Sequence, residues 1–369
     1  MDARRLSAVV LAAGEGTRMR STRPKPLHRL CGRPMILHVL DALAELPVQK
    51  VVVVVGHRGD WVSKTLTDHA PPALSIEFVE QHEQQGTADA LGVGLTALPD
   101  GFGDDDGDVI VLPGDTPLVR APTIAALVRH HRAYEAAATL LTAVLDDPSG
   151  YDRVVRGKDD AFVGVVEDLD LGDEDAAVDE VATPIHCLRH AGLAAALRRV
   201  PPLAGTGEHP LTGVYAVLHD AGYRVESLVV GDPMEAAGVN DRAQLAIAEA
   251  ELRDRINERW MRRGVTMWDP ERTYVDADVH IEPDVVLWPG VVLQGDCRVG
   301  GGAEIGPDCH LVDTTVGPGA TVTKSSAVRA VVGEEARVGP FVSLGPGAQV
   351  PDRAVVLPFT QLGADSPFD

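Results

Sequence analysis

The chain has 369 residues, enough for about two domains that each bury a hydrophobic core. Its 55 Asp and Glu residues exceed its 33 Lys and Arg residues, which gives a net charge of −22 at pH 7. This acidic excess argues against nucleic acids and anionic membranes as partners, because both are negatively charged. The four cysteines show no C-x-x-C spacing, and no stretch resembles a signal peptide or a membrane span. We therefore expect a cytoplasmic, reduced protein that binds neither nucleic acid nor membrane.

From residue 6 to about residue 250, β-branched segments alternate with amphipathic segments, as in a parallel sheet with helices on both faces. The predicted strands are residues 6–12, 51–55, 75–79, 109–112 and 139–144. The predicted helices, where apolar residues recur at three- and four-residue steps, are residues 35–46, 59–69, 88–98 and 123–137. Acidic runs at residues 104–108 and 167–180 lack metal-loop spacing and are interpreted as solvated loops. The pattern indicates a nucleotide-binding α/β domain over residues 1–241.

A six-residue period dominates the last hundred residues. Aliphatic residues recur at this step, with two shorter steps, at Val275, Ile281, Leu287, Leu293, Val299, Ile305, Leu311, Val316, Val322, Val328, Val332, Val338, Leu344, Val350 and Val356. Four residues after each of the first seven stand Val279, Val285, Val291, Cys297, Ala303, Cys309 and Thr315. Together with Gly and Pro in the turns, this spacing is typical of a parallel β-helix with small residues at its corners. We predict a helical linker over residues 242–272 and a β-helix over residues 273–369, in which Cys297 and Cys309 are packing residues.

A positive cluster follows the first predicted strand. The turn at residues 11–18 contains glycines that let backbone N–H groups approach phosphates, although it fits neither the P-loop nor the dinucleotide fingerprint. Residues 16–40 then hold six Arg and Lys residues and no acid. Fixed cations of this kind offset the charge of a triphosphate. Arg18 and Lys25, beside the turn, are the candidate phosphate ligands.

Ordered motifs then carry a resemblance to a known family. They are Leu11-Ala-Ala-Gly-x-Gly-Thr-Arg-Met, Pro24-Lys25-x-Leu27-His28, Gly32-x-Pro34-Met35, Gln81-x-x-Gln84-x-Gly86-Thr87-Ala88, Gly114-Asp115-x-Pro117-Leu118, Asp147-Pro-x-Gly-Tyr151, Val166-Glu167 and Gly238-Val239-Asn240-x-Arg242. The chain resembles the sugar-1-phosphate nucleotidyltransferases, and among them the bacterial bifunctional N-acetylglucosamine-1-phosphate uridyltransferases and glucosamine-1-phosphate acetyltransferases. The resemblance covers nearly the whole chain. It implies an α/β Rossmann-like nucleotidyltransferase domain followed by a left-handed parallel β-helix of hexapeptide repeats.

The resemblance also implies residue roles. The implied nucleotide-binding residues are Leu11, Ala12, Ala13, Gly14, Gly16, Thr17, Gln81, Gln84, Gly86, Thr87 and Gly114. The implied catalytic residues are Arg18, Lys25 and Asp115, and the implied Mg²⁺ ligands are Asp115 and Asn240. The implied sugar-phosphate contacts are Gly150, Tyr151, Asp152, Glu167, Ala182 and Thr183. The residues themselves support Asp115, which directly follows an apolar strand at the edge where open α/β sheets bind ligands.

The implied reaction is an in-line attack by a sugar 1-phosphate on the α-phosphorus of a nucleoside triphosphate, with pyrophosphate as the leaving group. Gln81 can pair with the imide of uracil or thymine, which favours UTP, with GTP, dTTP and ATP as the alternatives. On the acceptor side the chain departs from the family. It has Asp152 in place of a glycine, Ala182-Thr183-Pro184 in place of Asn-Thr-Gly, and a different segment at residues 208–213. We therefore expect another hexose 1-phosphate or a sugar-like cyclitol phosphate as acceptor, with N-acetylglucosamine 1-phosphate as the alternative.

Further expectations concern the β-helix and the competing classes of protein. The chain ends at Asp369, before the region where the family carries its acetyltransfer residues, so we expect a truncated β-helix without acetyltransferase activity. The prism is expected to form a homo-oligomer, a trimer or a dimer. A non-catalytic scaffold subunit with the same two domains is the main alternative to an enzyme. A nicotinamide-dependent oxidoreductase is disfavoured, since residues 56–58 supply no ribose-binding acid.

Overall fold

The computed structural model describes residues 4–56, 58–98, 107–168, 171–172, 177–203 and 205–363. Parts of both acidic runs and His57 lie outside these residues. The chain forms two compact units, residues 1–28 with 34–245 and residues 29–33 with 246–369. Most of the helix predicted as a linker thus belongs to the second unit. Within the described residues, no helix has the length and apolar character needed to cross a membrane.

The strands up to residue 229 are β1 (Leu6–Ala12), β2 (Arg29–Leu30), β3 (Arg33–Pro34), β4 (Lys50–Val55), β5 (Ile76–Glu80), β6 (Asp108–Pro113), β7 (Ala138–Val144), β8 (Arg153–Arg156), β9 (Phe162–Val166), β10 (Glu180–Arg189) and β11 (Val225–Val229). The α-helices are α1 (Met35–Ala44), α2 (Gly59–His69), α3 (Thr87–Leu95), α4 (Ala121–Ala133), α5 (Leu193–Leu197), α6 (Gly213–Asp220) and α7 (Arg242–Arg262). Every predicted strand and helix of the first unit is present, with ends that differ by up to four residues.

The sheet of the first unit has the order β11-β7-β10-β6-β1-β4-β5, with β8 and β9 attached at β10. All neighbours along this order are parallel except β10, which runs antiparallel to β6 and β7. Strand β1 lies between β4 and β6, so the chain after β1 and the chain after β6 leave the same edge of the sheet. This is the position where open α/β sheets bind ligands.

Helices cover both faces of this sheet, because alternate residues of each strand point to opposite sides. On β1, Ala8 and Val10 belong to one core together with Leu40 of α1. Val9 belongs to the other core, together with Leu91 of α3. Burial on both faces explains the unbroken apolar run of β4, as is typical of parallel strands. The Rossmann-like α/β architecture is therefore confirmed.

The second unit stacks short parallel strands into three sheets. Its strands are β12 (Thr266–Met267), β13 (Tyr274–Val275), β14 (His280–Ile281), β15 (Val286–Leu287), β16 (Val292–Gln294), β17 (Arg298–Val299), β18 (Glu304–Ile305), β19 (His310–Val312), β20 (Thr315–Val316), β21 (Thr321–Val322), β22 (Ser326–Val328), β23 (Val331–Val332), β24 (Arg337–Val338), β25 (Ser343–Leu344), β26 (Gln349–Val350), β27 (Val355–Val356) and β28 (Gln361–Leu362). The sheet orders are β12-β15-β18-β21-β24-β27, β13-β16-β19-β22-β25-β28 and β14-β17-β20-β23-β26. Every third strand pairs, which confirms the left-handed parallel β-helix.

Two predicted interior positions of the β-helix are wrong. Leu311 aligns with Ala327, and it is Ala327 that is buried, while Val328 is only half-buried. Thr314 fills the corner predicted for Thr315, which is exposed. The reason is that the steps from residue 311 to 316, 322 to 327 and 327 to 332 each contain five residues. The six-residue period of aliphatic residues pointed to Val328, but the stacked coils place Ala327 in the interior instead.

The two cysteines within the hexapeptide repeats are buried, in agreement with their predicted packing role. Cys297 and Cys309 are at most 1% exposed. Burial raises the pKa of the Cys297 thiol to about 11, so this side chain stays protonated and apolar at neutral pH.

Candidate functional site

A cavity of about 650 Å³ in the first unit brings together the predicted site residues. Those that line it are Leu11, Ala12, Ala13, Gly14, Gly16, Thr17, Arg18, Lys25, Gln81, Gln84, Gly86, Thr87, Asp115, Gly150, Tyr151, Asp152, Glu167, Ala182, Thr183 and Asn240. Gly114 is the exception. Its backbone N–H donates to the Leu11 carbonyl (2.9 Å), and a Cβ there would lie 3.1 Å from Ile36 Cδ1. Gly114 therefore supports the turn from behind and does not face the cavity.

The glycine-bearing turn after β1 packs directly on Lys25. Gly16 has φ +63°, in the left-handed region, and a Cβ there would lie 2.6 Å from Lys25 Cβ. Only glycine combines this backbone conformation with so close an approach. The turn thereby determines where the Lys25 side chain enters the cavity.

Four side chains from distant parts of the sequence form one network in the cavity. Lys25 Nζ forms an ion pair with Asp115 Oδ2 and donates to Asn240 Oδ1 (2.8 Å). Arg18 Nη2 donates to the same Asn240 oxygen (3.0 Å). The backbone supports this arrangement, since Val239 N–H donates to the Asp115 carbonyl (2.9 Å). Two fixed cations and two oxygen donors thus converge at the edge of the sheet.

The oxygen donors of this network suit a hard divalent cation. Asp115 and Asn240 both bind the Lys25 ammonium group, so their oxygens lie close enough to share one small cation. In the described part of the chain, this site included, no group of three or more His, Cys, Asp and Glu residues could hold a metal, so an ion here would rest on the two oxygens of Asp115 and Asn240 together with its substrate. Mg²⁺ commonly takes one or two protein oxygens and completes its octahedron with phosphate and water. The residues present therefore fit this ion.

The Gln81 amide has a defined orientation. Gln81 is buried, and its Nε2 donates to Asp89 Oδ2 (2.7 Å). A carboxylate only accepts hydrogen bonds, so the NH₂ group points to Asp89 and Oε1 is the atom left to accept from a ligand. Gln84 Nε2 donates to the Ala13 carbonyl (2.8 Å), which ties this segment to the glycine-bearing turn.

The start of α3 is held against residues 209–211. Gly86 has φ +105°, and a Cβ there would lie 2.5 Å from the His209 carbonyl oxygen. Ala88 N–H donates to that carbonyl (2.9 Å), and Thr87 Oγ1 accepts from Leu211 N–H (2.8 Å). The segment that departs from the family pattern is therefore part of the cavity wall.

The predicted acceptor contacts lie on the side of the cavity formed by β10 and the start of α6. Thr212 Oγ1 donates to Glu167 Oε1 (2.7 Å), and Asp152 Oδ1 accepts from Asp168 N–H (3.1 Å). The Thr183 hydroxyl donates to the Leu141 carbonyl (2.6 Å). That hydroxyl is consequently engaged within the sheet.

His186 was not predicted as a site residue, yet it lies on β10 and also lines the cavity. Its Nδ1 lies 2.9 Å from Tyr215 Oη, and the Tyr215 ring makes an edge-to-face contact with Phe162. Burial lowers the pKa of His186 to about 3 and raises that of Tyr215, so both groups are neutral at pH 7. One histidine within a strand forms no motif. Its even spacing from Ala182 and Pro184 along β10 was the one available signal.

Comparison with known proteins agrees with this geometry. Residues 8–199 match the family of MobA-like NTP transferase domains. The bifunctional protein GlmU of Brevibacillus brevis is 41% identical over 358 residues, which cover 97% of this chain and 76% of that protein. GlmU of Clavibacter sepedonicus is 43% identical over 351 residues, which cover 95% and 70% of the respective chains. GlmU of Kineococcus radiotolerans is 44% identical over 344 residues, which cover 93% and 69%. The chain thus belongs to the GlmU family and is a sugar-1-phosphate nucleotidyltransferase.

Proposed function

We propose that the protein transfers a nucleotidyl group, preferably from UTP, to a sugar 1-phosphate or a sugar-like cyclitol phosphate, with Mg²⁺ as cofactor. The products are a nucleotide sugar and pyrophosphate. The observation that carries this proposal is the convergence of Arg18, Lys25, Asp115 and Asn240 beside a glycine-bearing turn in one cavity.

The reaction needs charge neutralisation more than covalent chemistry from the protein. A phosphate oxygen of the acceptor attacks the α-phosphorus, the bond to the leaving pyrophosphate breaks, and no protein nucleophile takes part. The attacking oxygen is already anionic, so the barrier comes from bringing two negative reactants together. Lys25 and Arg18 would hold the triphosphate and offset the charge of the transition state.

Asp115 and Asn240 would hold the divalent cation. When bound, Mg²⁺ supplies positive charge at the reacting phosphates. Lys25 binds both of these oxygen donors in the structure, and Arg18 binds Asn240. When the triphosphate and Mg²⁺ bind, the Lys25 and Arg18 side chains would exchange their contacts with Asp115 and Asn240 for contacts with the phosphate oxygens.

The orientation of Gln81 supports UTP. Its Oε1 would accept from the imide N–H of uracil, and thymine offers the same donor. Adenine and cytosine carry no ring N–H on their pairing edge, so Gln81 would discriminate against ATP and CTP. Guanine has such a donor at N1, so this contact does not separate UTP from GTP or dTTP. Asp89 is essential for this choice because it fixes the amide.

We expect the acceptor to be another hexose 1-phosphate or a cyclitol phosphate. N-acetylglucosamine 1-phosphate is the alternative acceptor. Asp152, Ala182 and Pro184 line the cavity, as do four residues of the segment 208–213, so the departures from the family lie in the cavity wall. An enzyme distinguishes one acceptor from another by which polar groups of the site form hydrogen bonds with it, so a change in these residues changes the preferred acceptor.

The expectation that acetyltransferase activity is missing is not supported. The relatives are named bifunctional, and the match covers 97% of this chain, including its β-helix.

We propose a homo-oligomer formed through the β-helix, whose surface exposes the stacked pairs Trp268–Trp288 and Phe341–Phe359. Light scattering after gel filtration tests this: a monomer at micromolar concentration contradicts it.

A substrate matrix tests the proposed activity. UTP, dTTP, GTP, ATP and CTP are each combined with glucose 1-phosphate, N-acetylglucosamine 1-phosphate and inositol 1-phosphate, and pyrophosphate release is measured with and without Mg²⁺. We expect Mg²⁺-dependent release that is greatest with UTP. No release above that of Asp115→Ala with any pair would contradict the proposal. If N-acetylglucosamine 1-phosphate is best by a wide margin, the interpretation of Asp152 and Ala182 as specificity changes is wrong.

A further inference from the structure

His186 is a buried polar side chain in the wall of the cavity. It is 3% exposed and lies on β10, the strand that also carries Ala182 and Thr183. Its Nδ1 is engaged by Tyr215 Oη. No described residue forms a hydrogen bond with its Nε2, and this atom is not fully buried, so a ligand in the cavity can reach it. One polar atom of a rigidly held ring is thus available to a ligand.

The hydrogen bond to Tyr215 determines which nitrogen of His186 carries the proton. Tyr215 is fully buried, and among the described residues His186 is the one hydrogen-bond partner of its hydroxyl group. If Nδ1–H donated to the phenol, the phenol hydrogen would have no acceptor, and such an unpaired buried donor is unfavourable. The phenol therefore donates to Nδ1. The imidazole then carries its proton on Nε2 and presents an N–H donor to the cavity.

The surroundings place this donor on the acceptor side. Tyr215 lies three residues after Thr212, whose hydroxyl binds Glu167. The two side chains are one helical turn apart at the start of α6, so His186, Thr212 and Glu167 belong to one wall. Arg18 and Lys25 instead belong to the network with Asp115 and Asn240. No other Arg or Lys is among the described residues that line the cavity, so the wall around His186 offers hydrogen-bonding groups but no cation for a phosphate.

We propose that His186 contacts the acceptor and determines specificity, with its Nε2–H donating to an oxygen of the sugar or cyclitol ring. Tyr215 is a positioning residue that fixes the tautomer and the ring. This inference rests on the proposed function. The acceptor class it selects is a phosphate monoester whose ring carries an oxygen that can accept at this point.

The electrostatics of the wall are consistent with a neutral donor. Burial lowers the pKa of His186 to about 3, so the ring is uncharged throughout the neutral range. Other titratable groups that line the cavity outside the network of Arg18, Lys25 and Asp115 are the carboxyl groups of Asp152, Glu167 and Glu208 and the phenol of Tyr151. A neutral N–H group selects an acceptor oxygen by its position. Its hydrogen bond should therefore not change between pH 6 and 9.

Steady-state kinetics of His186→Phe, His186→Gln and Tyr215→Phe test the inference. The probes are UTP with glucose 1-phosphate, N-acetylglucosamine 1-phosphate and inositol 1-phosphate, and His219→Phe, an exposed position on α6, is the matched control. We expect His186→Phe to raise the acceptor KM by about three- to twentyfold, as for one lost hydrogen bond. The KM for UTP should stay within twofold. His186→Gln, which keeps an N–H donor, should recover part of the loss.

A series of monodeoxy analogues of the best acceptor identifies the oxygen. The analogue that lacks it should react more slowly than its parent with the wild-type protein and equally well with His186→Phe. The inference is overturned if the acceptor KM of His186→Phe is unchanged, or if every analogue loses the same rate with the wild-type protein and with His186→Phe. In either case, pyrophosphate release by the wild type preserves the proposed function. Failure of the wild type with every probe overturns both. If His186→Phe does not fold, Tyr215→Phe supplies the comparison. It removes the hydroxyl that holds the proton on Nε2, so it should raise the acceptor KM and leave the KM for UTP within twofold, and an unchanged acceptor KM overturns the inference.

Discussion

Replacement of Lys25 by methionine is expected to lower kcat about a thousandfold while the protein stays folded. Methionine keeps an unbranched chain of similar length and removes the charge. An ammonium group about 4 Å from a phosphate charge contributes roughly 4 kcal/mol at the effective dielectric constant of a partly buried site. That energy corresponds to about three powers of ten in rate. The Lys25 and Asp115 side chains are 13% and 18% exposed, so water still reaches the carboxylate after the change. The cost in stability is then about 1–2 kcal/mol, which lowers Tm by only a few degrees.

The assay is pyrophosphate release at saturating substrates, together with a thermal melt of each variant. Lys64→Met is the matched control, because Lys64 is exposed on α2 and does not line the cavity. It should retain wild-type kinetics. A kcat of Lys25→Met within tenfold of the wild-type value, with both proteins folded, would refute the electrostatic role assigned to Lys25.

Three further results are expected. Gly16→Ala should lower kcat about tenfold, because a left-handed backbone costs about 1–2 kcal/mol for alanine and the new methyl group displaces Lys25; steady-state kinetics and a melt check this. Asp89→Leu should reduce the preference for UTP over CTP about tenfold, since Gln81 loses the acceptor that holds its amide, and an unchanged ratio of kcat/KM values would contradict it. The pKa of His186 is lowered to about 3, below its value of about 6.5 in the unfolded chain, so stability is lost as pH falls below 6.5. Between pH 6.5 and 5 the wild type should lose about 2 kcal/mol more than His186→Phe in denaturant titrations, and equal losses would argue against a neutral buried ring.

The β-helix shows how far periodicity predicts a fold. Parallel coils repeat the same interior position, so the six-residue step was visible in the sequence and identified most of the buried aliphatic residues. It failed at Val328, because a coil with five-residue steps turns Ala327 inward. Which coil is shorter depends on register with the strands above and below. That information is in the stacking and not in the local pattern.

The nucleotide side of the cavity was predictable in a different way. The glycine-bearing turn, the absence of acids from residues 16–40, and Asp115 after an apolar strand are all features of the sequence, and together they indicate a phosphate site. Asn240 was chosen only through the family resemblance, because it stands in a turn without a local signal. His186 was missed, since neither its neighbours in sequence nor a motif distinguishes it from a core histidine.

Local sequence patterns were enough to specify the two architectures and the chemical character of the site. Continuous apolar strands, amphipathic helices and a six-residue repeat are local patterns, and local patterns follow directly from how each element buries its side chains. The tertiary structure alone decided which atoms meet. Asn240 lies 215 residues from Lys25 in the chain yet accepts its hydrogen bond, Asp89 orients the Gln81 amide, and Tyr215 selects the tautomer of His186. Such pairings depend on strand order and on the packing of helices against the sheet, which bring together groups whose separation along the chain carries no signal of their contact.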